Sequence, residues 1–190
     1  MEERIELFQK ARKLGIWGAL LGLALESGVF SLIFLSIIRG WSLIGIGKIN
    51  SINPITIFLC ICFWFAWIFY LLLLYFSVRN IGKVLREFIF STYFGAANIT
   101  FFIPFVSYFF RGKSLKALGK ALQNDFFLIS GYLYFIAAPL AFFSIVRFDI
   151  RPLNIVFKII PTLAYALALL GLAFILLGFL YFPEYQKQAD

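Results

Sequence analysis

Five long apolar runs, separated by short connectors that carry most of the charged residues, divide the chain. The runs are continuous rather than alternating, so they predict helices rather than strands. Each is long enough to cross a hydrocarbon layer roughly 30 Å thick, which takes about 20 residues. We therefore expect an all-α fold, a polytopic transmembrane helical bundle, in one integral membrane domain over residues 1–190. The five predicted spans are residues 14–38, 55–78, 88–110, 126–146 and 155–182.

The third run contains Gly95, Asn98 and Pro104, an interruption typical of broken or re-entrant helices. Five complete spans would put 10 of the 17 lysines and arginines on the amino-terminal side and 7 on the other. A third segment that enters and returns would give 12 against 5, a clearer positive-inside distribution. Because 23 consecutive uncharged residues normally form a span, we expect about five spans. Four spans plus a re-entrant third segment is the alternative.

Composition supports a lipid environment for most of the chain. Hydrophobic residues make up 63% and charged residues 14%, against roughly 45–50% and roughly 25% in soluble domains. The net charge of +8 could favour nucleic acid, but the basic residues lie in connectors between apolar runs. In that position they act as topology signals and as contacts to anionic lipid headgroups. We therefore expect a multi-pass protein of the cell membrane, with lipids and not nucleic acid as its partners.

Two connectors, residues 79–88 and 111–125, have amphipathic patterns. At about 100° per residue, the basic side chains of each fall on one side of a helix and the large apolar side chains on the other. This pattern predicts interfacial helices that either anchor the protein or recognise an anionic lipid or an acidic partner subunit. The candidate contacts to anionic lipid are Arg79, Lys83, Arg86, Lys113, Lys116 and Lys120.

Small residues indicate where helices approach one another closely in lipid. Gly18 and Gly22 form a GxxxG pattern on the first span, and Ala164, Ala168 and Gly171 form a stripe on the last. We expect both sets to lie at helix–helix contacts.

Three polar residues fall within predicted spans. Glu26 lies at the midpoint of the first span, where a charged side chain costs several kcal/mol. Asn98 and Thr100 lie in the interrupted third run. One interpretation is a polar path that binds a proton or cation at Glu26. The other is structural, with all three residues hydrogen-bonded to neighbouring helices.

Two stretches carry a loose family resemblance: KARKLGIWGALL near the amino terminus, and FRGKSLKALGKALQNDFFLISGYLYFIAA followed by LLGLAFILLGFLYF. Together they resemble a family of small multi-span membrane proteins found in archaea and some bacteria. The aromatic second span and the surroundings of Glu26 depart from that pattern. The resemblance implies a multi-span prokaryotic membrane protein. That family has no assigned activity, so it implies no functional residues here.

The inventory of chemically active side chains is short, with no histidine and two cysteines. This excludes histidine-ligated haem, histidine-dependent zinc chemistry and histidine-based nucleophile triads. We therefore expect no enzymatic activity and no cofactor. The leading hypothesis is a non-catalytic accessory subunit or scaffold that contacts partner subunits in the membrane. The rival is a small transporter or channel that uses Glu26 with Asn98 and Thr100.

Overall fold

The computed structural model describes residues 2–38, 54–100, 103–142 and 153–182, and in these residues it is entirely helical. The six helices are α1 (Glu2–Ile38), α2 (Pro54–Leu85), α3 (Ile89–Ile99), α4 (Pro104–Ala121), α5 (Asp125–Phe142) and α6 (Leu153–Leu180). In the described part of the chain, four helices are long and apolar enough to cross a membrane. These segments are Glu2–Ser31, Ile61–Leu85, Asp125–Phe142 and Ile159–Leu180. The protein is thus a helical membrane bundle, as the apolar runs predict.

The third apolar run is folded back on itself as two antiparallel helices, α3 and α4. The Ser107 hydroxyl donates a hydrogen bond to the Ala97 carbonyl at 2.9 Å. Further from the turn, the Ser114 hydroxyl donates to the Phe90 carbonyl at 2.6 Å. Residues on either side of the turn are therefore paired symmetrically, as in a hairpin. The third predicted span is therefore not one continuous helix, and the four helices long enough to cross a membrane equal the number of spans in the alternative. That α3 and α4 are re-entrant in the membrane stays a prediction.

Pro104 explains part of this reversal. Proline has no backbone N–H, so inside one long helix it would leave a backbone carbonyl without its donor. In the first turn of a helix no such donor is needed, and Pro104 stands in the first turn of α4. At the end of α3, the Thr100 hydroxyl donates to the Ala96 carbonyl at 2.8 Å and the Ile103 N–H donates to the Thr100 carbonyl at 2.8 Å. These bonds satisfy part of the backbone at the turn.

Sequential helices run antiparallel, and the start of α1 and the end of α6 meet at the same end of the bundle. The rings of Phe8, near the start of α1, and Phe182, just after α6, have centroids 4.3 Å apart. The Arg12 guanidinium donates to the last carbonyls of α6, those of Phe179 and Leu180, at 3.2 and 2.9 Å. We call this the amino-terminal end of the bundle. The α2–α3 and α4–α5 turns lie at the same end, because α3 and α4 form a hairpin.

Glycines bring the helices close together. A Cβ on Gly18 would lie 3.0 Å from Leu74 of α2, and one on Gly22 would lie 2.9 Å from Leu172 of α6. A Cβ on Gly171 would lie 3.1 Å from the ring of Tyr134. Ala164 and Ala168 of α6 are also buried. The five small residues of the sequence analysis therefore lie in the interior of the bundle.

The connector 111–125 does not form a separate surface helix. Residues up to Ala121 continue α4, which packs along α5. Leu115, Leu118 and Leu122 are fully buried in protein rather than in the acyl region. A Cβ on Gly131 would meet the backbone of Lys116 at 2.8 Å, so the two helices approach almost to backbone contact. The other predicted connector begins as the last turns of α2, which extends to Leu85.

Candidate functional site

The centre of the bundle holds the carboxylate of Glu26. The Trp67 indole Nε1 donates to Glu26 Oε1 at 2.9 Å, and the Tyr70 hydroxyl donates to the same oxygen at 2.7 Å. Gly22 lies one turn before Glu26 on the same face of α1, where a Cβ would come within 3.0 Å of the Tyr70 ring. The glycine thus allows α2 to come close enough for Tyr70 to reach the carboxylate.

A buried cation, Arg111 of α4, lies in the same region. Its side chain is 6% exposed, and its Nε atom is buried without a hydrogen-bond partner. Its guanidinium carbon lies 5.9 Å from the Phe94 ring centroid and 5.8 Å from that of Tyr134. Aromatic faces attract a guanidinium but do not replace the hydrogen bonds it loses on burial. Arg111 therefore has unused donor capacity inside the bundle.

Sequence reasoning missed Arg111, because it follows the third apolar run directly and reads as the first charge of a basic connector. A signal was available in the helical register. Residues 111, 115, 118 and 122 recur at the spacing of one helix face, so Arg111 lies on the same face as the buried leucines Leu115, Leu118 and Leu122. The three connector lysines lie on the other faces.

A small cavity of about 20 Å³ is bordered by both charged residues. It is lined by Glu26, Tyr108, Arg111, Tyr134, Tyr165, Ala168, Leu169 and Leu172, which come from α1, α4, α5 and α6. That volume is enough for about one water molecule, and several polar groups surround it. In the described structure Glu26 and Arg111 border the same cavity without a direct ion pair between them.

Asn98 and Thr100 are not brought next to Glu26 by any contact among the described residues. The Asn98 amide donates to the Leu71 carbonyl of α2 at 3.2 Å, and its Oδ1 is buried without a partner. Thr100 bonds within its own helix. The neighbours of Glu26 are instead aromatic donors and Arg111. The hairpin turn nevertheless lies at the depth of this centre, because Leu71 adjoins Tyr70 in α2.

The basic residues predicted to contact lipid lie towards the amino-terminal end, and several pack on aromatic rings. The Lys113 ammonium is 4.8 Å from the Phe109 ring centroid, and that of Lys116 is 4.7 Å from the Tyr132 ring centroid. Such contacts hold the charged head beside an amphipathic ring. The side chains exposed to the surroundings are those of Arg79, Lys83, Arg86 and Lys120. Their binding to lipid stays a prediction.

A scan against models of known protein families, a search of curated proteins and a search of solved structures each found no match. The family resemblance of the two sequence stretches therefore stays a prediction. Among the described residues there is no group of three or more histidine, cysteine or acidic side chains that could hold a metal ion. Fold and site define a polytopic helical membrane protein with a buried polar centre of Glu26, Arg111 and aromatic hydroxyls.

Proposed function

We propose that this protein is a small transporter or channel of the cell membrane, and that protons or small ions pass between Glu26 and Arg111. The observation that carries the proposal is the cavity between these two opposite charges. Ionisable residues within membrane spans are costly to bury, and they commonly mark ion pathways or proton relays. A purely structural pair would be expected to close into direct contact, since burial of unpaired charge is unfavourable.

The α3–α4 hairpin supports the same proposal. Non-helical backbone at membrane depth is tolerated only where it is buried in protein or lines a water-filled cavity. Transporters often use broken helices of this kind beside a binding site near the middle of the bilayer. Here Asn98, near the end of α3, contacts α2 at Leu71, one residue from the tyrosine that binds Glu26. The end of α3 and the charged centre are therefore neighbours.

Flux measurements test the proposal. The full chain is reconstituted in liposomes that enclose a pH-sensitive dye. Proton entry is driven either by a potassium gradient with valinomycin, which imposes a membrane potential, or by an inward chloride gradient, which drives electroneutral transport as well. We expect the wild type to conduct protons and Glu26→Gln to fall to the rate of protein-free liposomes. The matched control is Glu87→Gln, which removes an exposed carboxylate outside the helices and should conduct like the wild type. Equal flux in the wild type and Glu26→Gln, or none above protein-free liposomes, contradicts the proposal.

An accessory subunit is the second candidate, and the outer face of α2 favours it. Phe58, Phe65 and Phe69 are 65%, 70% and 56% exposed, which leaves a broad aromatic surface for lipid or for a partner's helices. Aromatic rings of this size fit faces rich in glycine and alanine on a neighbouring subunit. Purification in mild detergent separates the two candidates. A stoichiometric partner that is lost in Phe65→Ala supports the subunit, whereas an isolated chain that conducts protons supports the transporter.

A further inference from the structure

The cavity beside Arg111 is surrounded by groups that bind anions. A guanidinium carries five N–H donors and keeps its charge throughout the accessible pH range. Three tyrosines, Tyr108, Tyr134 and Tyr165, line the same space, and each carries one hydroxyl donor. With Arg111 94% buried, as its 6% exposure implies, and its Nε without a partner, this cation is not saturated by protein groups. Charge-assisted hydrogen bonds from arginine to an anion are among the stronger bonds in proteins.

We infer that this cavity binds one small monovalent anion, of the halide class, when Glu26 is protonated. The inference rests on the proposed transport function, for which it names the substrate: a proton moving together with an anion. The cavity of about 20 Å³ has room for one occupant the size of a water molecule. It therefore excludes tetrahedral anions such as sulfate and phosphate.

Charge balance inside the bundle links the proton to the anion. With Glu26 ionised, its negative charge balances that of Arg111. With Glu26 protonated, Arg111 is the uncompensated charge in a medium where isolated charges are unfavourable. Entry of one anion restores neutrality, so the empty ionised state and the protonated, anion-bound state are both neutral overall. An anion beside an ionised Glu26 would instead meet a like charge.

The groups that face this centre come from four helices besides α1, which carries Glu26 itself. They are Trp67 and Tyr70 of α2, Tyr108 and Arg111 of α4, Tyr134 of α5 and Tyr165 of α6. Glu26 is the one carboxyl group in this described set. Tyrosine hydroxyls and indoles are ordinarily neutral between about pH 5 and about pH 8, and arginine stays charged.

Thermal unfolding of the purified full chain in detergent measures anion binding, since a ligand of the folded state raises Tm by mass action. Chloride is compared with gluconate and with sulfate at equal ionic strength, at about pH 5 and about pH 8. We expect chloride, and neither gluconate nor sulfate, to raise Tm. Glu26→Gln mimics the protonated acid at every pH. In that variant chloride should bind about tenfold or more tightly than in the wild type at about pH 8, and equally at both pH values.

Two double variants complete the design. Glu26→Gln/Arg111→Gln removes both charges without leaving either uncompensated, and its Tm should no longer respond to chloride. Arg79→Gln/Glu87→Gln makes the same changes at exposed positions and should respond like the wild type. A chloride response that persists in the first double variant overturns the inference. If that variant does not fold, an equal response to chloride and sulfate in Glu26→Gln overturns it instead.

The outcomes separate the site from the transport function. Chloride that stabilises Glu26→Gln as expected, in a protein that conducts no protons in liposomes, supports the anion site and contradicts the proposed function. Proton flux that depends on Glu26 but is identical in chloride and gluconate supports the proposed function and contradicts the anion as its substrate.

Discussion

Gly131 gives the sharpest test of the α3–α4 hairpin, because its environment exists only if α4 packs along α5. A Cβ at this position would lie 2.8 Å from the Lys116 backbone nitrogen, 3.0 Å from the Gly112 carbonyl oxygen and 3.2 Å from the Lys116 Cα. All three atoms belong to the α4 backbone, which cannot rotate away as a side chain can. Gly131→Ala therefore forces the two helices apart.

The magnitude follows from the contacts. In a helix interior, alanine is more favourable than glycine by about 0.5–1 kcal/mol. Overpacking of a close contact costs about 1–3 kcal/mol, and rigid backbone on the other side puts this position at the upper end of that range. We therefore expect Gly131→Ala to lower the free energy of unfolding by about 2–2.5 kcal/mol.

Gly28 supplies the control, because a Cβ there would meet nothing within 4 Å. Gly28→Ala makes the same chemical change in a helix and should be neutral or stabilising by up to about 1 kcal/mol. Unfolding in detergent micelles, followed by circular dichroism as the SDS fraction rises, gives both values. If Gly131→Ala proves as stable as Gly28→Ala, the close packing of α4 on α5 is refuted, and the antiparallel hairpin loses its main support.

Three further outcomes are expected. Cysteine labels at the two chain ends should both react from the cytoplasmic side; labelling from opposite sides would restore five spans. Ser114→Ala removes a buried hydrogen bond between α4 and α3 and should lower the free energy of unfolding by about 1 kcal/mol in the same assay. The control Ser31→Ala breaks a hydrogen bond within α1 only and should lower it less. Equal losses of stability would contradict the α3–α4 contact. Replacing the three α4 lysines with glutamine should reduce the amount of anionic lipid that co-purifies with the protein. Lipid binding by the wild type should weaken as salt shortens the Debye length from about 10 Å at 0.1 M to about 3 Å at 1 M. Lipid binding that does not change would show that the lysine charges do not hold the lipid. These lysines are Lys113, Lys116 and Lys120.

The apolar runs predict the lipid environment, the all-helical fold and four of the membrane helices. They can do so because the length and continuity of a run depend on the bilayer rather than on tertiary contacts. The GxxxG pair is likewise visible in sequence, and the structure has Gly18 against α2 and Gly22 against α2 and α6. The glycines between α4 and α5 are not predicted, since Gly112 and Gly119 lie in a stretch that reads as a surface connector and Gly131 lies on the next helix. Their common role depends on which helices become neighbours.

The polar centre was half predictable. Glu26 stands out because a lone carboxylate amid apolar residues has a visible cost. Arg111 does not, because an arginine at the edge of an apolar run usually lies at the membrane surface. Its burial becomes evident only once α4 is known to pack against α3 and α5. Asn98 and Thr100 attract attention for the same reason as Glu26, but their described bonds are to nearby backbone carbonyls.

A run of apolar residues does not reveal whether it forms one helix or two helices folded together, because either arrangement removes its side chains from water. The 11 residues of α3 span only about 16 Å, too little to cross the hydrocarbon layer alone. The chain must therefore turn inside the bundle, and the turn needs partners for its exposed backbone groups. Serine and threonine hydroxyls bond to backbone carbonyls at the end of α3 and across the hairpin. The return of α4 towards the amino-terminal end also gathers ten of the 12 lysines and arginines of the described residues into segments near that end, whereas Arg111 is buried. Charge distribution along the sequence thus carried information about the reversal that hydrophobicity could not, because orientation in the membrane depends on which connectors share a face.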